Sequence, residues 1–109
     1  MLEPLLASIN CERVLIFIAA RNEGYLREIA GFFQCAPAPL LKQLEKLEAG
    51  GVLFSRLVGR TRLYGFNPRY PFLQELKALL DKALSFYPEE LRTALLDNRQ
   101  RPRRKGKPL

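Results

Sequence analysis

Between residues 57 and 66 the chain reads LVGRTRLYGF, two apolar, β-prone runs on either side of Gly59-Arg60. Two such runs around a short glycine-bearing turn specify a β-hairpin. The preceding segment narrows the possibilities further. Leu40, Leu44 and Leu47 lie at i, i+4 and i+7, the spacing of a buried helical stripe. That helix opens at Pro37, where a proline suits the first turn, and stops at Gly50-Gly51. A hairpin that follows a helix across two glycines must pack beside it. Arg60 and Arg62 stand at or next to the tip, so the hairpin reaches outward rather than into a core. Its strands are expected near Leu53–Val58 and Thr61–Phe66, closed by Asn67-Pro68. Alternation places Tyr64 and Phe66 inward on one face and Leu63 on the other.

The rest of the chain reads as helix. Leu2, Leu5, Leu6 and Ile9 recur at helical spacing and predict a short first helix. Asn10 is the expected N-cap of a second helix running through Cys11 to about Arg21. Its apolar run, Val14 to Ala20, has the periodicity of a buried strand as much as of a helix. The cap before it and the stop signal Arg21-Asn22-Glu23-Gly24 after it favour helix. A third helix is expected from Tyr25 to Phe33, then a tight connection at Gln34-Cys35-Ala36. A fifth runs from about Phe72 to Phe86 and a shorter one from Pro88 to about Asn98. The fold class is therefore mainly α with a small antiparallel β-hairpin, one domain over residues 1–98. Residues 99–109, RQRPRRKGKPL, offer no hydrophobic stripe and are expected to form a disordered basic tail.

Charge supports a polyanionic partner. The net charge is +7, and six basic residues lie in that tail. Without those six, 12 basic side chains face 11 acidic ones. A second, milder basic cluster lies between Lys42 and Arg69 and includes Lys46, Arg56, Arg60 and Arg62. Basic charge at two such places points to nucleic acid. A solvated tail and a soluble surface would produce the same pattern.

Other chemistry is poorly provided for. The chain has two cysteines, Cys11 and Cys35, and no histidine, so it cannot close a four-ligand nitrogen–sulfur zinc site alone. No metal site, cofactor site or catalytic constellation is expected, and no glycine-rich phosphate loop is present. The longest apolar run is too short to cross a bilayer. The first residues, MLEPLLASIN, lack the positive region of a signal peptide, so a cytoplasmic location is expected.

The order of parts, two short helices joined by a tight turn and then a hairpin, matches a helix-turn-helix with a flanking wing. YLREIAGFF, QCAPAPLLKQLEKLEAGGVL and LVGRTRLYGFNP together resemble winged helix-turn-helix transcriptional regulators of the arsenical-resistance-repressor (ArsR-like) type. The nearest resemblance is to small bacterial winged-helix proteins that stand alone or accompany nucleotidyltransferase domains. It covers about residues 10–86. It implies that Pro37–Ala49 is the recognition helix, that residues 53–66 are the wing, and that the chain is a DNA-binding homodimer paired through its terminal helices. The clustered cysteine or acidic and histidine ligands of the metal-sensing members are absent here, so metal sensing is not implied.

On that reading Lys42, Gln43 and Lys46 face a major groove, with Arg56, Arg60 and Arg62 on the adjacent DNA backbone. Leu5, Ile9, Leu76, Leu79, Leu80, Ala83 and Leu84 would form the dimer surface. The outward face of the recognition helix holds Ala38, Lys42, Glu45 and Ala49, with Pro39 and Lys46 beside it, and is locally neutral. Modest base reading, with more affinity from wing and tail, follows from that composition. Two other partners stay open: another protein, such as a nucleotidyltransferase, docking on the neutral proline-bearing helix, and structured RNA.

Overall fold

The structure, a computed structural model, describes residues 1–100. Six helices surround a three-stranded antiparallel sheet in the order α1 (Glu3–Leu6), α2 (Ile9–Arg21), β1 (Glu23–Tyr25), α3 (Leu26–Phe33), α4 (Pro37–Ala49), β2 (Leu53–Val58), β3 (Thr61–Phe66), α5 (Leu73–Ser85) and α6 (Glu89–Gln100). Helix α2 is the centre of the molecule. Val14, Ile16, Phe17, Ile18 and Ala20 are completely buried. A helix apolar all round must be covered all round, and α1, α3, α4, α5, α6 and the sheet all pack on α2. This explains the unbroken run from Val14 to Ala20, whose helical assignment is correct.

Several boundaries differ from the sequence reading for local reasons. The first helix stops at Leu6 because Ala7 takes a left-handed conformation (φ 67°). Ser8 then extends, and its Oγ accepts the amides of Asn10 (3.0 Å) and Cys11 (3.2 Å). The N-cap is thus Ser8, not Asn10. Asn10 sits in the first turn instead, where its Oδ1 accepts from Arg13 Nη1 at 3.1 Å. Asn22 caps the far end of α2 with φ 74° and returns its amide to Ile18 O at 2.7 Å. The stop signal stands where the sequence places it, but it leads directly into a strand.

That strand, β1, is not expected from the sequence. It pairs with β3 in the register Glu23↔Gly65, Gly24↔Tyr64 and Tyr25↔Leu63, which makes β3 the central strand and β2 an edge. Three residues are too few to show a period of two. Gly24 permits the docking: a Cβ there would lie 2.8 Å from the Phe17 ring. The central position of β3 also changes the expected alternation. Tyr64 enters the main core, yet Leu63 on the opposite face is buried as well, flanked by its strand partners Tyr25 and Arg56. Phe66 is only half-buried.

Helix α3 begins one residue later than expected, with the Tyr25 amide donating to Glu28 Oε1 at 3.3 Å. It ends at Gln34, again left-handed (φ 54°). Helix α4 and both long strands have the expected bounds. The C-terminal helix is clamped onto α2 by Arg21, whose Nε and Nη2 donate to the carbonyls of Leu95 (3.1 Å) and Ala94 (3.2 Å). Leu95 is fully buried beneath it. Helix α6 extends to Gln100, two residues past the expected end, and the rest of the predicted tail, residues 101–109, lies outside the described residues.

Candidate nucleic-acid interface

Helices α3 and α4 meet through the three-residue turn 34–36, and the β2–β3 hairpin follows α4 directly. Leu40 and Leu44 bury one side of α4, with Leu47 partly covered. Ala38, Pro39, Lys42, Glu45, Lys46 and Ala49 are exposed, so the outward face is the one its leucine spacing indicates. Gln43 is half-buried.

The charges on that helix are sorted, not mixed. At 100° per residue, Lys42 and Lys46 fall on one strip, and Leu41, Glu45 and Glu48 on a neighbouring one. The second strip faces the wing. Glu48 Oε2 accepts from Ser55 Oγ at 2.8 Å, and Ser55 Oγ accepts from Arg62 Nη1 at 3.0 Å. This chain of two hydrogen bonds ties the wing to the side of α4. Lys46 lies on the other flank, close enough to Cys11 to oppose the rise that burial imposes on that thiol's pKa. Counting charges along the helix gives neutrality; the fold separates a basic strip from an acidic one.

Between α3, α4 and the wing lies an open cleft of ≈ 520 Å³. Arg27, Arg60 and Arg62 line it against a single carboxylate, Glu45. Leu26 and Leu41 form the apolar part, with Tyr64 beside them. Burial, followed by the charges of Glu48 and Glu45, raises the Tyr64 pKa, so its hydroxyl stays neutral. Among the described residues, Arg27, Lys42, Lys46 and Arg60 make no ion pair. Gly59 turns the tip with φ 66°, and Arg60 follows it into solvent.

The structure divides the residues expected at this surface. Lys42, Lys46 and Arg60 are exposed and form no ion pair among the described residues. Arg62 is exposed but engaged by Ser55. Arg56 reaches across β3 to Glu23 (3.7 Å), an exposed pair of small energetic value. Arg27 is an addition that the sequence does not indicate. It carries no pattern of its own, because only the folding of α3 against the wing brings it to the cleft.

The expected dimer residues also divide. Leu80, Ala83 and Leu84 are buried in the chain's own core and cannot meet a partner. Leu76 and Leu79 are half-buried. Ile9 is exposed, and Leu5 is 66% exposed. Phe72 and Phe86, at the two ends of α5, are exposed to 62% and 66%. No group of three or more potential metal-ligating side chains comes together among the described residues, and none of their helices is long and apolar enough to cross a membrane.

No family model matches the sequence, and no curated protein matches it. Solved structures do match the fold. The reduced form of HlyU from Vibrio cholerae superposes with a TM-score of 0.60 at 20% identity, covering 79% of this chain and 84% of that one. A MarR-family transcriptional regulator from Rhodococcus sp. RHA1 gives 0.56 at 20% identity, over 89% and 74% of the two chains. A double mutant of ZitR from Lactococcus lactis in its apo form gives 0.55 at 17% identity, over 89% and 82%. Mainly helical, with an antiparallel hairpin packed beside the second helix of a helix-turn-helix, the chain has the winged-helix fold.

Proposed function

We propose that this protein is a dimeric, DNA-binding transcriptional regulator of ArsR-like build. The observation that carries the reading is a set of cations on α3, α4 and the wing tip that form no ion pair among the described residues. Lys42 and Lys46 on the exposed strip of α4, Arg60 at the wing tip and Arg27 at the cleft all lack a carboxylate partner among the described residues. Helix α4 enters the major groove, and Lys42 reaches a base edge or the nearest phosphate. Arg60 and Arg27, which line the same cleft beside α4, hold backbone phosphates there, which sets orientation more than sequence preference. Arg62 contributes mainly by holding the wing to α4. The likeness to a MarR-family transcriptional regulator is consistent with this role.

Selection from genomic DNA fragments followed by footprinting tests the reading. A regulator of this kind protects two half-sites about one helical turn apart. Lys42→Ala should narrow the preference between operator variants by about 1–3 kcal/mol at one base pair. Loss of affinity that is equal for every sequence would assign Lys42 to the phosphates instead.

A second reading, a protein-docking module, draws on a different observation. Strand β2 is an open edge, and Phe54, Leu57 and Val58 along it are exposed. Such an edge accepts an added strand from a partner. Failure to retain any duplex DNA, with a partner protein binding at β2, would favour it.

A further inference from the structure

A second concavity lies away from the wing, where the α1–α2 junction, the end of α3 and the start of α6 meet. It has a volume of ≈ 310 Å³ and is walled by Ile9, Phe33, Pro88 and Leu91. An apolar cavity of about 150 Å³ admits benzene, so this one has room for a two-ring body. Small-molecule sites are mostly apolar concavities with a few fixed polar groups. Four polar groups stand here: Glu12, Arg13, Tyr87 and the Met1 ammonium, the last already paired with Glu12 (3.2 Å) and Glu3 (3.8 Å).

Their hydrogen bonds decide which ligand fits. Glu12 is buried and already supplied with donors. Its Oε2 accepts from the Tyr87 hydroxyl (2.5 Å), and its Oε1 from the Leu2 amide (2.8 Å) and the Met1 ammonium (3.2 Å). It has little left to offer a cation. Arg13 is the reverse case. One guanidinium nitrogen donates to Asn10 Oδ1, and the group lies 5.8 Å from the centre of the Phe33 ring. No carboxylate pairs with it among the described residues. A guanidinium over an aromatic wall, with donors to spare, suits a carboxylate whose apolar body lies on that wall.

We infer that the pocket between α2, the end of α3 and α6 binds a small hydrophobic anion, its acid group on Arg13 and its rings against Phe33, Ile9 and Leu91. Such a ligand joins the terminal helices to the first helix of the helix-turn-helix. Phe33 packs edge-on to Phe32 (4.9 Å), and Phe32 to Phe17 (5.9 Å), so the pocket wall continues into the core.

The test needs no DNA, so its outcome is separate from that of the regulator reading. The full chain is titrated calorimetrically with three probes of one shape: 2-naphthoate, 2-naphthylmethanol and 2-naphthylmethylammonium. Backbone amide shifts locate the site. 2-Naphthoate should bind about tenfold or more tightly than the other two, with shifts centred on Ile9, Phe33 and Leu91. Arg13→Gln should remove that preference, and Leu91→Trp should fill the pocket and abolish binding while the thermal melt stays cooperative. Three results would overturn the inference. One is an ammonium or alcohol that binds as tightly as the acid. Another is shifts centred on the arginine-lined cleft of the wing. The third is no saturable binding at millimolar probe.

Discussion

Glu12 is a charged residue buried in the core, at 1% exposed. It is tolerated because each oxygen has a donor, the condition for placing a charge in a core. Burial on its own raises a carboxyl pKa. The hydrogen bonds from Tyr87, Leu2 and the N-terminal ammonium outweigh that effect, and the net shift is downward. Burial first, then the Glu12 carboxylate, pushes the Tyr87 phenol up. The signs give a window. The stability that Glu12 contributes is present above the ordinary carboxylate pKa and is lost as pH falls through its lowered folded value. The contribution of Tyr87 is present below the ordinary phenol pKa and is lost as pH rises beyond it. Tyr87→Phe leaves one carboxylate oxygen without its donor and should cost about 1.5–3 kcal/mol in urea unfolding at neutral pH. Its stability should also fall less between about pH 5 and pH 3 than the wild type's, because Glu12 then titrates nearer its ordinary value. An unchanged midpoint and an unchanged acid slope would mean that the tie between α2 and the start of α6 is not energetic.

At the scale of elements, the wing is attached to α4 through Glu48, Ser55 and Arg62. Glu48→Ala and Ser55→Ala should each cost about 0.5–1.5 kcal/mol, and the double variant less than their sum, since both break the same bond. Full additivity in a denaturant cycle would show the bond to be idle. The parts this tie joins are legible in the sequence. Leucine spacing sets α4, glycine and proline set its ends, and the hairpin follows from Gly59 between two β-prone runs. The exposed face of α4, with Lys42, Lys46 and the tip Arg60, can be read at 100° per residue. What cannot be read depends on packing. Strand β1 has three residues and no pattern, and only the pairing of Gly24 with Tyr64 against Phe17 makes it a strand. Ser8 displaces Asn10 as cap because Ala7 adopts φ > 0, which few non-glycine residues do. Arg27 joins the cleft, and Arg62 acquires a partner, through the packing of elements distant in sequence. The broad apolar stripe of α5 reads as a dimer surface, but Leu80, Ala83 and Leu84 close the chain's own core.

The whole molecule keeps a smaller apolar surface than its sequence suggests, and the pairing proposed for it must use what is left. Leu5 on α1, Ile9 at the start of α2, and Phe72 and Phe86 at the ends of α5 are exposed. Isolated exposed hydrophobics are ordinary, whereas several large ones on terminal elements fit a surface covered by a second copy. Sedimentation at micromolar concentration should give a dimer, and Leu5→Lys together with Phe72→Lys should give a folded monomer. A wild-type monomer would remove the paired half-sites. Lys42 and Lys46 on α4, Arg60 at the wing tip and Arg27 on α3 remain without ion-pair partners among the described residues, and DNA binding through them is the central claim. The salt dependence of duplex DNA binding tests it most directly, measured by fluorescence anisotropy for the wild type and for Arg60→Ala with Arg27→Ala. The wild type should lose affinity linearly in log salt. The variant's slope should be shallower by roughly one unit for each phosphate that it no longer neutralises, with folding unchanged. Binding that ignores salt, or a variant that keeps both the wild-type affinity and the wild-type slope, would contradict it.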